Sequence, residues 1–174
     1  MGWHHEPPTA RWIDSLSSID EHGDREVRAR LIEFAVHDLG ARGTGAILVY
    51  RPDDGEPESV YELRLPVPPP LDIRLPADLA PLRHVLAQVD GAAVFDASGI
   101  LRQLGVRLVP SAAAEAEVEG YRGMRHTSGR RYSFDDPRAT VVVVSEDGPV
   151  TVLRNGVLLG RTDPGPTVPM NDTD

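Results

Sequence analysis

A chain of 174 residues is long enough for one domain with a sizeable core and too short for two comfortable ones. The formal net charge of -9 argues against a general nucleic-acid binder, because affinity for a phosphate backbone requires a positive surface, and DNA is therefore not an expected partner. The chain contains no cysteine, which excludes disulfides, thiolate metal sites and cysteine nucleophiles.

Residues 1–23 are predicted to form an N-terminal arm. Trp12, Ile13, Leu16 and Ile19 recur at helical spacing, which indicates a short amphipathic helix that either packs on the domain or binds a partner. The arm lacks the charged start and apolar run of a signal peptide, and no apolar stretch in the chain approaches the length of a membrane span. We therefore expect a cytoplasmic protein that makes no membrane contact.

Two helices are predicted in the first half of the chain. Asp24 has the short acceptor side chain of an N-cap, apolar residues follow it at helical spacing, and Gly40 marks the expected stop. A second helix is expected at residues 79–88, with Pro81 tolerated in its first turn. Residues 111–120 are rich in alanine and glutamate, and their composition suits either a helix or a loop.

Strands alternate with these helices and with tight turns. Apolar or alternating runs predict strands at residues 46–50, 59–65, 92–96, 100–109, 139–145, 150–154 and 157–161. Helix crossovers and hairpins both occur, so residues 24–161 are expected to form a single α/β (α+β) domain, with a mixed central sheet of about seven strands flanked by helices. Residues 162–174 have the composition of a disordered tail.

The first candidate for chemistry is Asp90-Gly91-Ala92, where a predicted helix gives way to a buried strand. A carboxylate at this point can hold a divalent metal or accept a proton from a sugar hydroxyl, and the small residues let a ligand approach the backbone. An Asp-Gly pair is also the composition of an ordinary turn. These residues alone leave both interpretations open.

The second candidate is a concentration of arginine in an acidic chain. Five of the 18 basic residues lie close together, namely Arg122, Arg125, Arg130, Arg131 and Arg138. Guanidinium groups bind phosphate oxygens in a bidentate fork, and the hydroxyls of Thr127 and Ser128 can donate to the same oxygens. The alternative is a solvated charged face that pairs with the glutamates of residues 115–119.

The third candidate is the end of the strand predicted at residues 139–145. Four consecutive valines indicate a central strand, and α/β sheets usually place ligand contacts at the carboxyl ends of such strands. Ser145 and Glu146 follow the valines, so Ser145 is a candidate to contact a phosphate and Glu146 to contact a metal.

In their order and spacing, these three pieces resemble the diadenylate cyclase (DAC) domain family, in particular the N-terminal domain of DNA-integrity-scanning proteins. The family's hallmarks are Asp-Gly-Ala, then Arg-His-Arg, then a strand ending in Val-Ser-Glu ahead of a hairpin. The resemblance covers residues 26–161 and departs from the pattern at the third residue of the second motif. The motifs stand here as Asp90-Gly91-Ala92, Arg125-His126-Thr127 and Val144-Ser145-Glu146.

The resemblance implies a diadenylate cyclase, which joins two ATP molecules into the bacterial second messenger cyclic di-AMP and releases pyrophosphate. The 3′-hydroxyl of each ATP attacks the α-phosphate of the other across a face-to-face homodimer or higher oligomer, with Mg²⁺ or Mn²⁺ assisting. Asp90, Arg125 and His126 are then expected to be catalytic, with metal contacts from Asp90 and Glu146. Nucleotide contacts are expected from Gly91, Ala92, Thr127, Ser128, Arg130, Arg131 and Ser145.

The family's third motif residue is arginine, and this chain has Thr127. Loss of one charge-assisted phosphate contact costs about 1.5 to 3 kcal/mol, unless Arg130 or Arg131, each within a turn, replaces it. Gly129 further lowers the helix propensity of this segment. The alternatives to an active cyclase are therefore a catalytically weak DAC-like sensor that binds ATP or a cyclic dinucleotide, and a structural domain whose arginines bind an acidic partner.

Overall fold

The structure is a computed structural model that describes residues 24–52, 67–120, 123–147 and 149–162. The predicted N-terminal helix, the predicted strand at residues 59–65 and all but the first residue of the predicted tail lie outside these ranges. Within the ranges, no helix combines the length and the apolar composition that crossing a membrane requires.

Helix α1 (Arg25–Phe34) begins where the sequence predicts. The Asp24 carboxylate caps it by accepting hydrogen bonds from the backbone N–H groups of Glu26 at 2.8 Å and Val27 at 3.4 Å. The apolar side chains that recur along the helix, such as Leu31, are buried against the sheet. The capping residue and the helical spacing therefore specify this element locally.

The end of α1 differs from the prediction. A π-helical stretch (Ala35–Leu39) and a 3₁₀ turn (Gly40–Arg42) prolong the helix past Gly40, which itself has helical backbone angles. The chain leaves the helix at Gly43, where φ is 67°. This left-handed conformation favours glycine, so the sequence offers two possible stops and the second one is used.

Six strands form one sheet: β1 (Ala46–Tyr50), β2 (Ala92–Phe95), β3 (Leu101–Val106), β4 (Thr140–Val144), β5 (Val150–Arg154) and β6 (Val157–Arg161). Their order in the sheet is β3-β2-β1-β4-β5-β6. Strands β1 and β2 are parallel, and all other neighbouring pairs are antiparallel. The predicted single-domain α/β class with a mixed sheet is confirmed, with six strands described rather than about seven.

Parallel neighbours need a crossover connection, and helix α2 (Pro76–Gln88) lies in the one that joins β1 to β2. The helix begins three residues before the predicted start, because Pro76 occupies its first position. Proline suits that position, since its φ is already helical and its missing N–H is not needed there. Pro81 lies more than one turn further along and is exposed.

Helices cover both faces of the sheet. Helices α1 and α2 pack on one face around Leu48 and Phe95. Helix α4 (Met124–Asp135) packs on the other face, with the short helix α3 (Ala112–Glu117) beside it. The segment whose composition suits either helix or loop is therefore helical. Valines from β4, such as Val143, contribute to the core beneath α4.

Gly129 lets α4 approach the sheet closely. A Cβ added at this position would lie 2.8 Å from Val143 Cγ2 and 3.3 Å from Val141 Cγ1, closer than side-chain carbons normally pack. The residue that lowers the helix propensity of α4 is thus the one whose missing side chain allows the helix to pack on β4.

Candidate active site

A cavity of about 500 Å³ opens at one edge of the sheet. This edge carries the amino ends of β1 and β2 and the carboxyl end of β4, because β4 is antiparallel to β1 and pairs Val144 with Ala46. The volume is within the range of small-molecule sites. The lining residues are Gly43, Thr44, Gly45, Ala46, Ile47, Leu86, Ala87, Val89, Asp90, Gly91, Met124, Arg125, Ser128 and Glu146.

Two carboxylates line this cavity. Asp90 lies between α2 and β2, Glu146 lies two residues past the end of β4, and both are exposed to solvent. The described part of the chain holds no group of three or more histidine, aspartate or glutamate side chains that would bind a metal by themselves. Mg²⁺ commonly binds through one or two carboxylates together with substrate phosphates. Asp90 and Glu146 therefore fit a divalent cation that arrives with a phosphorylated ligand.

Arg125 places a positive charge beside one of these carboxylates. Its Nη1 donates a hydrogen bond to Glu146 Oε1 at 2.9 Å, and the two side chains are 42% and 66% exposed. The pair lies over Gly45, where an added Cβ would be 2.5 Å from Arg125 Nη1 and 2.9 Å from Glu146 Cγ. The absence of a side chain at position 45 therefore leaves the space that the ion pair occupies.

Helix α4 begins at the cavity, since Met124, Arg125 and Ser128 from its first two turns line the wall. Gly123 precedes the helix with a φ of 98° and provides no side-chain cap. The first N–H groups of a helix lack acceptors within the helix and carry partial positive charge. This end of α4 therefore favours an anion in the cavity.

Gly91 and Ala92 are held by neighbouring strands. Gly91 lines the cavity with a φ of 105°, and a Cβ there would lie 2.7 Å from the backbone carbon of Gly105 in β3. The positive φ and the close packing against β3 therefore require a glycine at position 91, whether or not a ligand is present. Ala92 is fully buried in the core of the sheet and is not among the residues that line the cavity.

His126 and Ser145 border a neighbouring pocket of about 470 Å³, which shares Arg125 with the first cavity. The imidazole is buried, and its Nε2 lies 3.4 Å from Thr151 Oγ1 of β5. The structure thus places Arg125 between the two spaces. His126 is next to Arg125 but does not line the same cavity as Asp90.

Three residues expected to contact a nucleotide lie away from the cavity. Arg130 Nε donates to the carbonyl of Gly156 at 2.8 Å, and Arg131 Nε donates to the carbonyl of Val118 at 3.2 Å. The Thr127 side chain is directed towards a different segment, the end of the α3 connection at Gly120. The two guanidinium groups therefore contact backbone on other faces of α4 instead of replacing the missing motif arginine at the cavity.

Helix geometry explains this sorting. Successive residues are rotated by about 100° in an α-helix, so position 128 projects within about 60° of position 125. Positions 127, 130 and 131 project more than about 100° away from it. Ser128 consequently shares the cavity with Arg125, whereas the other three side chains do not.

Sequence reasoning misses two parts of the lining. Gly43, Thr44 and Gly45 form a wall just before β1, and the signal for them is a pair of glycines flanking a small polar residue ahead of a buried strand. Leu86 and Val89 form an apolar wall at the end of α2. They carry no chemical signal, because apolar residues at the end of a helix are typical of ordinary core packing.

Comparisons with known proteins agree with this arrangement at the level of the family. Residues 33–158 match the family described as DAC, DisA bacterial checkpoint controller nucleotide-binding. Comparison with curated proteins gives no match.

Two of the crystal structures that are similar to the chain illustrate the fold. One is a hypothetical membrane spanning protein from Bacillus cereus, 21% identical with a TM-score of 0.48, over 77% of this chain and 67% of that one. The other is a double mutant of DacA from Staphylococcus aureus, 20% identical with a TM-score of 0.42, over 87% of this chain and 86% of that one. The family match runs from α1 into β6 and covers most of the chain, which therefore belongs to the DAC family of nucleotide-binding domains.

Proposed function

We propose that the protein is a diadenylate cyclase, which condenses two ATP molecules into cyclic di-AMP and releases pyrophosphate. One observation carries the proposal: Asp90, Glu146 and Arg125 line a single cavity at the amino end of α4, in a chain of a nucleotide-binding family. Carboxylates for a metal and cationic groups for phosphates then lie side by side. Phosphoryl and nucleotidyl transfer depend mainly on such positioning and charge neutralisation.

In each of two equivalent steps, a 3′-oxygen forms a bond to the α-phosphorus of the other ATP, the bond to pyrophosphate breaks, and the hydroxyl proton passes to the Asp90 carboxylate and from there to water. Asp90 orients the 3′-hydroxyl, while Arg125 and the amino end of α4 neutralise the phosphates. Ser128 donates a hydrogen bond from the same wall. A divalent cation, Mg²⁺ or Mn²⁺, held by Asp90 and Glu146 would supply further neutralisation of phosphate charge.

His126 and Ser145 act from the neighbouring pocket in this proposal. The pocket adjoins Arg125, so a phosphate bound by the guanidinium lies within reach of groups on both sides of it. The burial of the imidazole limits its motion and fixes its distance from Arg125. We therefore assign His126 to phosphate binding together with Arg125, and Ser145 to a supporting hydrogen bond.

Two ATP molecules must meet, so two copies of the site have to face each other. The rim of the cavity supports such an assembly, because Met124 is 87% exposed and Val89 is 37% exposed there. Apolar side chains at the mouth of a polar cavity are suited to cover by a second copy. We propose a face-to-face homodimer or higher oligomer that acts in the cytoplasm, where ATP is available.

Incubation of the purified protein with ATP and Mn²⁺, followed by mass analysis of the products, tests the proposal. We expect cyclic di-AMP and pyrophosphate, with a specific activity that rises with protein concentration because the assembled form is the active one. ATP that stays unchanged at all protein concentrations would contradict cyclase activity.

A second candidate function is a sensor that binds ATP or a cyclic dinucleotide without joining nucleotides. Among the described residues that line the cavity, Arg125 is the single arginine, and the Thr127 side chain is directed towards Gly120. Fewer cationic groups at the phosphates slow chemistry more than they weaken binding if the lost contact is made mainly in the transition state. Nucleotide binding without product in the same assay supports the sensor, and the absence of both supports a structural domain.

A further inference from the structure

The ion pair between Arg125 and Glu146 joins two groups that the proposed reaction uses separately. Arg125 is assigned to phosphates and Glu146 to a cation, yet Nη1 and Oε1 are 2.9 Å apart and point at each other. While this bond persists, Nη1 of the guanidinium donates to a carboxylate and not to a phosphate oxygen. A ligand that binds Arg125 through Nη1, the nitrogen that lies over Gly45, must therefore displace Glu146.

We propose that Glu146 is a specificity-determining residue, which makes the site bind nucleotide complexed with a divalent cation in preference to metal-free nucleotide. The inference rests on the proposed nucleotide-binding function of the cavity. A metal-free phosphate chain that accepts the hydrogen bond from Arg125 Nη1 breaks the ion pair and leaves the Glu146 carboxylate next to another anion. A phosphate chain that carries a cation brings positive charge for the carboxylate, so both members of the broken pair gain a new partner.

The surroundings of the pair determine how it opens. Backbone at Gly45 closes the space beneath it, since even a Cβ there would contact both side chains at less than 3 Å. The exposed fractions of 42% and 66% show that water reaches both groups from the other side. An ion pair this exposed changes an equilibrium by a factor of roughly five or less, so it discriminates between ligands without closing the site.

Equilibrium titration with ATP in excess EDTA tests the inference by comparing wild type with Glu146→Gln and Asp147→Asn. Both variants remove one carboxylate charge at adjacent exposed positions, but Asp147 does not line the cavity. We expect E146Q to bind metal-free ATP roughly fivefold more tightly than wild type, and D147N to remain within about twofold. With Mg²⁺ in place of EDTA, E146Q should bind no more tightly than wild type.

A double-mutant cycle separates competition for Arg125 from general charge effects. In an Arg125→Gln background, E146Q should give no gain in affinity for metal-free ATP, because its effect acts through the guanidinium. Equal gains in E146Q and D147N, or a gain that persists without Arg125, would overturn the inference while leaving the nucleotide site in place. Failure of the proposed function looks different, since wild type itself would then not bind ATP with Mg²⁺, and both ideas would fall.

Discussion

Asp90 lines the cavity and is exposed to solvent, so its carboxylate is available to a ligand and takes no part in core packing. We predict that Asp90→Asn lowers cyclic di-AMP formation by at least about 100-fold, because the neutral amide lacks the negative charge that attracts a divalent cation and accepts the hydroxyl proton. An exposed substitution of this kind changes the free energy of unfolding by no more than about 0.5 kcal/mol. Product analysis and thermal unfolding measure the two effects, and undiminished turnover in D90N would refute the assigned role.

Gly45 is the residue whose importance the motifs do not reveal. We predict that Gly45→Ala weakens binding of ATP with Mg²⁺ by about tenfold, because the methyl group takes the place of the Arg125 guanidinium. Gly120→Ala is the matched control, since a Cβ there makes only an ordinary contact at 3.7 Å from Thr127 Oγ1. Calorimetric titration measures both affinities, and equal affinities for the two variants would show that space at position 45 is not needed.

Single residues also show how far the motifs predict the site. The motifs point to Asp90, Arg125 and Glu146, and the structure brings these three to one cavity. Arg130 and Arg131 are candidates because of their proximity along the chain, but proximity within a helix does not mean a shared face. The rotation of about 100° per residue turns Arg130 and Arg131 more than about 100° away from Arg125, and this follows from the helical periodicity of the motif alone.

Among the elements, α4 both lines the cavity and packs closely on the sheet at Gly129. We predict that Gly129→Ala destabilises the protein by about 1 kcal/mol. Overpacking costs about 1 to 3 kcal/mol, and the gain of about 1 kcal/mol in helix propensity offsets only part of it. Chemical denaturation measures the change, and an increase in stability would show that α4 and Val143 can separate without cost.

The turn that leads into α2 provides a pH-dependent test. Hydrogen bonds from the Arg74 guanidinium hold the pKa of the Asp72 carboxyl below its usual value, although burial acts in the opposite direction. A lowered pKa in the folded state stabilises the fold above the unfolded-state pKa near 3.8, and this contribution is lost as the pH falls through the folded-state value.

We therefore predict that Asp72→Asn lowers the free energy of unfolding at pH 7, and that its difference from wild type shrinks at pH 3. Urea unfolding at both pH values is the measurement. A difference that stays constant between pH 7 and pH 3 would mean that the charge of Asp72 plays no part in holding Arg74.

The elements differ in how far local sequence determines them. Asp24 caps a helix through hydrogen bonds to the next turn, and consecutive valines favour a strand through their own backbone preferences. The predicted helix start and the predicted strand are both confirmed. The predicted stop at Gly40 is wrong, because a second glycine three residues later has the left-handed φ, and local rules do not choose between the two. The role of Gly129 is also not predictable from local sequence. Helix propensity describes the isolated segment, whereas the contact with Val143 forms only in the assembled domain.

For the whole molecule, the strand order decides where the site lies. Ligands of parallel α/β sheets usually bind at the carboxyl ends of strands, whereas this cavity opens at the amino ends of β1 and β2. Glu146 reaches it because β4 runs in the opposite direction and ends there. Hydrophobic patterns predict strands but not which strands are neighbours in the sheet. Residue types alone therefore do not place Glu146 and Asp90 at one cavity, and their assignment to one site comes only from the order of the family's motifs.

We propose that ATP binds in the cavity between the end of α2 and the start of α4. The chain has no cysteine, so single cysteines introduced by Ala87→Cys and Ala80→Cys report on two exposed positions of α2, one of which lines the cavity. ATP with Mg²⁺ at ten times its dissociation constant should slow thiol modification of A87C roughly tenfold and leave A80C unchanged. Equal modification rates of A87C with and without bound ATP would show that the nucleotide binds elsewhere and would refute the proposed site.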